Sequence, residues 1–246
     1  MKILEVSGLR KQYPGFLLDD VGFSLEEGHI MGLIGRNGAG KTTTLKSIFN
    51  LVHPDAGTIR ILGHDMPDEE RMIKQRLGYV GGEINYYRRK KLRDIANVNR
   101  LFYDDWDDEA YNKYMSMFSL TENKTPLELS SGMRMKFSLT LALSHKADLL
   151  ILDEPTVGLD PVSRAELIEI FLYLKEKGVS ILFSTHIISD IEKCADDITY
   201  ISDGHVIASA PGEIFIAENA KQGHGEALED IMISYEKEAL HEKLID

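Results

Sequence analysis

A glycine-rich stretch around residue 40 could bind phosphate groups. It follows an apolar run at residues 29–34 and precedes the helical segment TTTLKSIFN, which is the strand, loop and helix order of a phosphate-binding loop. Glycines let consecutive backbone N–H groups converge on phosphate oxygens, and the helix dipole adds positive potential. The lysine would bridge the β and γ phosphates. The pattern GxxxxGK[ST] predicts a nucleotide-binding set of Gly35, Arg36, Asn37, Gly38, Ala39, Gly40, Lys41 and Thr42, with Thr43 next.

A pair of acids could supply the rest of a hydrolytic site. Asp153 and Glu154 follow the apolar run LLIL at residues 149–152, and ligands of parallel sheets gather at the carboxyl ends of the strands. Asp153 is expected to hold Mg²⁺ through water, together with the hydroxyl of Thr42, because Mg²⁺ prefers oxygen ligands and keeps several waters. Glu154 is expected to polarise the water that attacks the terminal phosphate. These residues predict hydrolysis of a nucleoside triphosphate.

Alternating strand and helix signals predict an α/β fold. Apolar runs at 29–34, 148–152 and 179–184 are each followed by a turn and a segment of helical period. This pattern favours a mainly parallel sheet covered on both faces. Residues 3–6 and 23–25, with Gly and Pro turns between them, predict an N-terminal antiparallel β layer, which 57–62 could extend.

We predict a single domain over residues 1–246. Its nucleotide-binding core comprises 1–85 and 145–211. Residues 86–144 lack strand signals, carry the acidic run DDWDDEAYNKY near their first turn, and are expected to form an inserted α-helical subdomain. Residues 212–246 are rich in Glu, Lys and Ala and are expected to form a C-terminal helical extension that packs as an end-cap, with a specific regulatory role as the alternative.

Three further motifs follow in a specific order. LSSGM at residues 129–133 precedes a helical run, PTVGLD at 155–160 follows the acid pair, and His186 follows the apolar stretch ILFST. Together with the phosphate-binding loop and the acid pair, this order resembles the ABC (ATP-binding cassette) ATPase family over residues 3–210. The resemblance implies a P-loop NTPase core, ATP as the nucleotide and the role of a transporter motor.

The resemblance also implies roles for individual residues. Two subunits, expected to be identical, would face each other head to tail, so that the P-loop of one and the signature motif of the other enclose each ATP. Asp160, in the D-loop at residues 158–160, would organise the facing subunit. His186 would hydrogen-bond the γ-phosphate, and Tyr13 would stack on adenine. The signature motif consists of Ser130, Ser131, Gly132 and Met133. Its hydroxyl, its N–H and the dipole of the following helix would point at the partner's γ-phosphate.

Two departures from the family pattern concern hydrolysis. The glutamine that the family carries after the strand following the P-loop helix is missing from LGYVGGE at residues 77–83. Glu83 could replace it as an oxygen ligand of Mg²⁺, or it could be an ordinary exposed acid. Ser131 and Met133 stand where the family signature has glycine and glutamine, which bears on the hydrolysis rate more than on nucleotide binding.

Composition limits the partners. The formal net charge of -12 repels nucleic acid, so no nucleic-acid partner is expected. The single cysteine, Cys194, excludes an internal disulfide and predicts a small buried side chain in a reducing compartment. Apolar runs end far short of the roughly 20 residues that span a membrane, so we expect a soluble chain.

The expected partner is a separately encoded integral membrane permease, which would hold the chain at the cytoplasmic face of the cell membrane, as in bacterial exporters. By resemblance, a groove beside residues 81–87 should receive a cytoplasmic helix of the permease. Tyr86, Tyr87 and Trp106 could line it, or they could be ordinary core and surface aromatics. The alternative function is that of a soluble ABC ATPase in assembly or regulation, without a membrane partner.

Overall fold

The computed structural model describes residues 1–81 and 87–245, with side chains up to residue 238. Glu83 and Tyr86 therefore lie outside the described residues. The strands, numbered along the chain, are β1 (Lys2–Tyr13), β2 (Phe16–Glu26), β3 (Ile30–Ile34), β4 (Ala56–Ile61), β5 (His64–Met66), β6 (Leu77–Val80), β7 (Leu149–Asp153), β8 (Ser180–Thr185), β9 (Asp197–Ser202) and β10 (His205–Pro211). The helices are α1 (Lys41–Ile48), α2 (Glu70–Gln75), α3 (Leu92–Arg100), α4 (Asp108–Met117), α5 (Ser131–Ser144), α6 (Pro161–Glu176), α7 (Ile188–Cys194), α8 (Gly212–Gln222) and α9 (Leu228–Ile245).

The strands form two sheets. The first is antiparallel, with the order β2-β1-β4-β5, and corresponds to the predicted N-terminal layer; β4 is the extension expected near residues 57–62. The second has the order β10-β9-β3-β8-β7-β6, in which every neighbouring pair is parallel except β10 with β9. The α/β fold class is confirmed.

The parallel strands are buried on both faces. Every residue of β3, β7 and β8 is buried, which explains their continuous apolar runs. One face of the sheet, with Leu150 and Phe183, packs against helices, whereas the other, with Ile151 and Leu182, packs against the antiparallel layer and α1. Since these three strands are parallel neighbours, their carboxyl ends meet at one edge, where three of the sequence motifs begin.

The described part of the inserted segment is helical, with α3, α4 and α5 joined by loops. The acidic run at residues 104–114 is not near its first turn, contrary to expectation, because α3 precedes it. The run instead begins α4, where the carboxylate of Asp107 accepts hydrogen bonds from the backbone N–H groups of Glu109 and Ala110. Acids favour a helix N-terminus, and here that N-terminus belongs to the second helix of the segment.

Gln75, at the end of α2, links the core to this helical segment. Its side-chain amide donates to the carbonyl oxygen of Phe102 at 2.9 Å and accepts from the N–H of Asp104 at 2.8 Å. The ring of His145, after α5, hydrogen-bonds the carbonyl of Gln75 at 3.0 Å and stacks on Tyr103. Burial lowers the pKa of His145 to about 4, so the ring is neutral at pH 7 and stacks without the cost of a buried charge.

The C-terminal residues form α8 and α9, which pack on the core through Phe215, Leu228 and Ile231. Cys194 is a free, buried thiol, as predicted, and burial raises its pKa to about 12. Among the residues that the structure describes, none of the helices combines the length and the apolar character needed to cross a membrane.

Candidate active site

The glycine-rich loop connects β3 to α1, and two of its glycines lack room for a side chain. Gly35 has φ 158° and Gly40 has φ 114°. A Cβ on Gly35 would lie 2.2 Å from the carbonyl oxygen of Ile201, and one on Gly40 would lie 2.8 Å from a methyl group of Leu18. The turn thus depends on glycine for both conformation and space. It folds the backbone of residues 35–40 into a tight loop directly before α1.

Lys41 is the first residue of α1, and its side chain folds back against the loop. Its side chain is buried, and its ammonium donates to the carbonyl oxygens of Gly35 at 2.8 Å and Arg36 at 3.2 Å. The same nitrogen lies 3.0 Å from a carboxylate oxygen of Glu154. A buried positive charge beside a loop of backbone N–H groups provides the electrostatic basis for holding a polyphosphate.

Thr42 and Asp153 are 111 residues apart in the sequence but lie next to each other in the folded chain. The Thr42 hydroxyl donates to Asp153 Oδ1 at 3.1 Å. Ser184, which lies outside the motifs recognised in the sequence, donates its hydroxyl to the same oxygen at 2.8 Å and accepts from the N–H of Glu154 at 2.9 Å. The sequence feature that could have indicated Ser184 is its position in ILFST, shortly before His186. In the structure, Ser184 is opposite Asp153 in the β7–β8 register.

Glu154 joins Lys41 to His186. One carboxylate oxygen faces Lys41, and the other lies 3.0 Å from His186 Nδ1. The backbone of Glu154 has φ 50°, a left-handed conformation that costs a non-glycine residue about 1–2 kcal/mol. The Ser184 hydroxyl, bonded to the N–H of Glu154, helps to hold this conformation, so the carboxylate is aimed out of the end of β7.

The oxygens of Thr42 and Asp153 fit a magnesium ion. Mg²⁺ is usually bound by one or two protein oxygens, water and substrate phosphates rather than by a full protein cage. The described residues contain no group of three or more His, Cys, Asp or Glu side chains that could hold a metal. The third expected ligand, Glu83, lies outside the described residues. Near this site, burial and the Asp153 charge raise the pKa of Tyr79 to about 12.

The signature residues begin α5 and contact the D-loop. Ser130 caps the helix, with its hydroxyl accepting from the N–H of Met133 at 3.2 Å, and Ser131 donates to the carbonyl of Gly158 at 3.3 Å. A Cβ on Gly132 would lie 3.2 Å from the side chain of Ser163. Within the described part of the chain, no hydrogen bond or ion pair joins these residues to the glycine-rich loop.

Asp160 caps α6. Its carboxylate accepts from the N–H groups of Val162 and Ser163 and from the Ser163 hydroxyl. These hydrogen bonds, led by that of the hydroxyl, lower the pKa of Asp160. Asp160 therefore stabilises the N-terminus of α6. The resemblance implies a second role, toward a facing subunit.

The remaining predicted nucleotide-binding residues lie around the loop or at the hairpin of the first sheet. Asn37 and Gly38 are exposed, Ala39 is buried, and Thr43 is half-buried in the first turn of α1. Tyr13 ends β1, is 38% exposed, and has the Lys11 ammonium 5.9 Å from its ring centre.

Removal of the Ser184 hydroxyl should destabilise the site. We expect Ser184→Ala to lower the free energy of unfolding by about 1–3 kcal/mol, because the N–H of Glu154 and Asp153 Oδ1 both lose a buried partner. Urea denaturation measures the change. Ser138→Ala is a matched control, because Ser138 is also buried and its hydroxyl bonds only within α5, to the carbonyl of Arg134. Equal stability of Ser184→Ala and the wild type would contradict this role.

Comparison with known proteins identifies the family. The family model described as ABC transporter matches residues 18–157. This chain belongs to the ABC transporter family. It is an ABC transporter ATP-binding protein and an ATPase, as the resemblance implied.

Curated ABC proteins and solved ABC structures resemble the chain over most of its length. It is 32% identical over 203 residues to the ABC transporter ATP-binding protein YtrB of Bacillus subtilis (strain 168), which covers 82% of this chain and 69% of that protein. It is 34% identical over 212 residues to the linearmycin resistance ATP-binding protein LnrL of the same strain, with 84% and 68% covered. A solved ATP-binding subunit of an ABC transporter superposes with a TM-score of 0.83 at 28% identity, covering 94% of this chain and 98% of that one.

Proposed function

We propose that this chain is a peripheral, cytoplasmic ATPase subunit that energises a separately encoded membrane permease through ATP-driven closure of a homodimer. The observation that carries the proposal is the separation of two half-sites. The P-loop, Asp153 and Glu154 are assembled at one sheet edge, whereas the signature residues at the start of α5 hydrogen-bond the D-loop and, among the described residues, form no hydrogen bond or ion pair with this P-loop. Two copies arranged head to tail would bring each signature to the other copy's nucleotide.

The proposed roles follow from the chemistry of each group. The P-loop amides and Lys41 hold the ATP phosphates, while Glu154 orients and polarises the attacking water. His186, which is hydrogen-bonded to Glu154, would bond the γ-phosphate. Mg²⁺, held by Thr42 and Asp153, would neutralise charge on the phosphates. Closure is favoured because ATP binds the closed dimer more tightly than the open one, and hydrolysis removes that difference.

An exposed apolar patch beside Gln75 supports a permease partner. Met72 on α2 is 46% exposed, and Leu101 and Phe102, after α3, are 82% and 71% exposed. The Gln75 hydrogen bond to Phe102 brings these two elements together, and a cavity of 510 Å³ lies beside Met72 and Gln75, between α2 and residues 104–105. Large exposed apolar side chains grouped in this way are typical of an interaction surface. We assign this patch, Met72, Leu101 and Phe102, to a cytoplasmic helix of the permease.

The aromatic residues considered from the sequence divide between core and surface. Trp106 is half-buried against Tyr111 and donates its indole N–H to Asp108 at 3.0 Å, so it belongs to the packed helical segment. Tyr87 is 72% exposed and remains available to a partner. The names of relatives, which include linearmycin resistance and Nod factor export ATP-binding proteins, support a role in resistance or export.

Copurification from the native host tests the permease assignment. The tagged chain is expressed at native level, membranes are extracted gently in detergent, and stoichiometric partners are identified. We expect a polytopic membrane protein, and we expect its recovery to fall at least about tenfold for the variant Leu101→Ser/Phe102→Ser, because truncated hot-spot residues cost 2 kcal/mol or more. Ile214→Ser, at an exposed position of α8 away from this patch, is the control. Recovery of soluble partners alone would contradict the proposal and favour an assembly or regulatory ATPase.

A further inference from the structure

Glu236, on the C-terminal helix, contacts the phosphate-binding loop. A carboxylate oxygen of Glu236, on α9, accepts from the guanidinium of Arg36 at 3.2 Å, and the other accepts from the hydroxyl of Tyr200 at 2.7 Å. Arg36 is the second residue of the P-loop motif. Glu236 thus forms a direct contact between the helical extension and the nucleotide site.

Tyr200 anchors this contact at the base of the P-loop. It is fully buried on β9, opposite Ile34, the last residue of β3 before Gly35. Its ring also stacks on Tyr235 of α9, with ring centres 5.0 Å apart. Since Tyr200 is held by the sheet and by the neighbouring aromatic ring, it fixes the Glu236 carboxylate, whereas the Arg36 side chain that the carboxylate pairs with is 74% exposed.

We propose that Glu236 is a positioning residue that lowers the affinity for ATP by holding and neutralising the side chain of Arg36. Without its carboxylate partner, the guanidinium is free to turn toward the phosphates, and the positive potential at the P-loop rises. The C-terminal extension would in this way set how much ATP is needed to fill the site. The proposal concerns nucleotide binding by the single chain and does not depend on a permease or on dimer closure.

The variant Glu236→Gln tests this directly. Glutamine keeps an oxygen for the Tyr200 hydroxyl and removes the charge that holds Arg36. We expect the Kd for ATP, measured by calorimetry without Mg²⁺ so that no turnover intervenes, to fall about threefold at low salt. The difference should shrink in 1 M salt, where the Debye length is about 3 Å. In steady-state assays KM should fall while kcat stays unchanged, a split that general destabilisation would not produce.

Two further variants separate the mechanism from a change in net charge or structure. Glu238→Gln makes the same charge change two residues further along α9, where Glu238 faces His224 instead of the P-loop, and should leave the Kd unchanged. In an Arg36→Gln background, Glu236→Gln should have no further effect. The proposal is overturned if Glu236→Gln binds ATP as the wild type does or more weakly, if Glu238→Gln tightens binding equally, or if the tightening persists without Arg36.

Discussion

Glu154→Gln should lower kcat for ATP hydrolysis by roughly 10²–10⁴-fold, the usual contribution of general base catalysis, without weakening ATP binding. Glutamine keeps the size of the side chain and an oxygen toward Lys41, but it cannot accept a proton from water. The carboxylate lies between Lys41 and His186 at the end of β7. Phosphate release assays and equilibrium ATP binding, measured on the same preparation, give the two quantities.

A matched acid elsewhere controls for loss of a carboxylate. Glu169→Gln changes an exposed position on α6 and should leave kcat unchanged. If dimer closure is ATP-driven, Glu154→Gln should also form a dimer when ATP is added, as measured by light scattering. Hydrolysis at the wild-type rate by Glu154→Gln would exclude Glu154 as the base.

Lys41→Ala should raise the Kd for ATP by about 10- to 150-fold, since a hydrogen bond to a charged group contributes about 1.5–3 kcal/mol. The ammonium is buried and surrounded by Gly35, Arg36 and Glu154. Its removal also leaves the Glu154 carboxylate without a cation beside it, so the site becomes more negative where phosphates must bind. Equilibrium binding of ATP without Mg²⁺ measures the loss independently of turnover.

Lys46→Ala is the control for this substitution. Lys46 is on the same helix, carries the same charge and is exposed, so its loss should change the Kd far less. Equal weakening by the two variants would mean that ATP responds to the overall charge of α1 and not to the position of Lys41. Wild-type affinity in Lys41→Ala would contradict the assignment of the P-loop.

Much of the fold and of the site could be predicted from local sequence. Buried parallel strands are continuous apolar runs, so β3, β7 and β8 were predicted, and the ordered motifs along the chain identified the ABC family and its ATPase activity. The acidic run at residues 104–114 also marked a helix start, although the sequence did not reveal that α3 came first. That helix is amphipathic, with Leu92, Ile95 and Ala96 buried, but it has only 9 residues, and so short a segment contains few repeats of the helical period.

The tertiary structure decided contacts between residues far apart in sequence. Ser184 joins the site because β8 pairs with β7 in the register that places it opposite Asp153. Glu236 reaches Arg36 because α9 folds back onto the sheet 200 residues further along the chain. Residue types and spacing determine which groups can do chemistry, since those signals are local. Which distant side chains orient those groups depends on strand register and helix packing, and these arise only when the whole chain is folded.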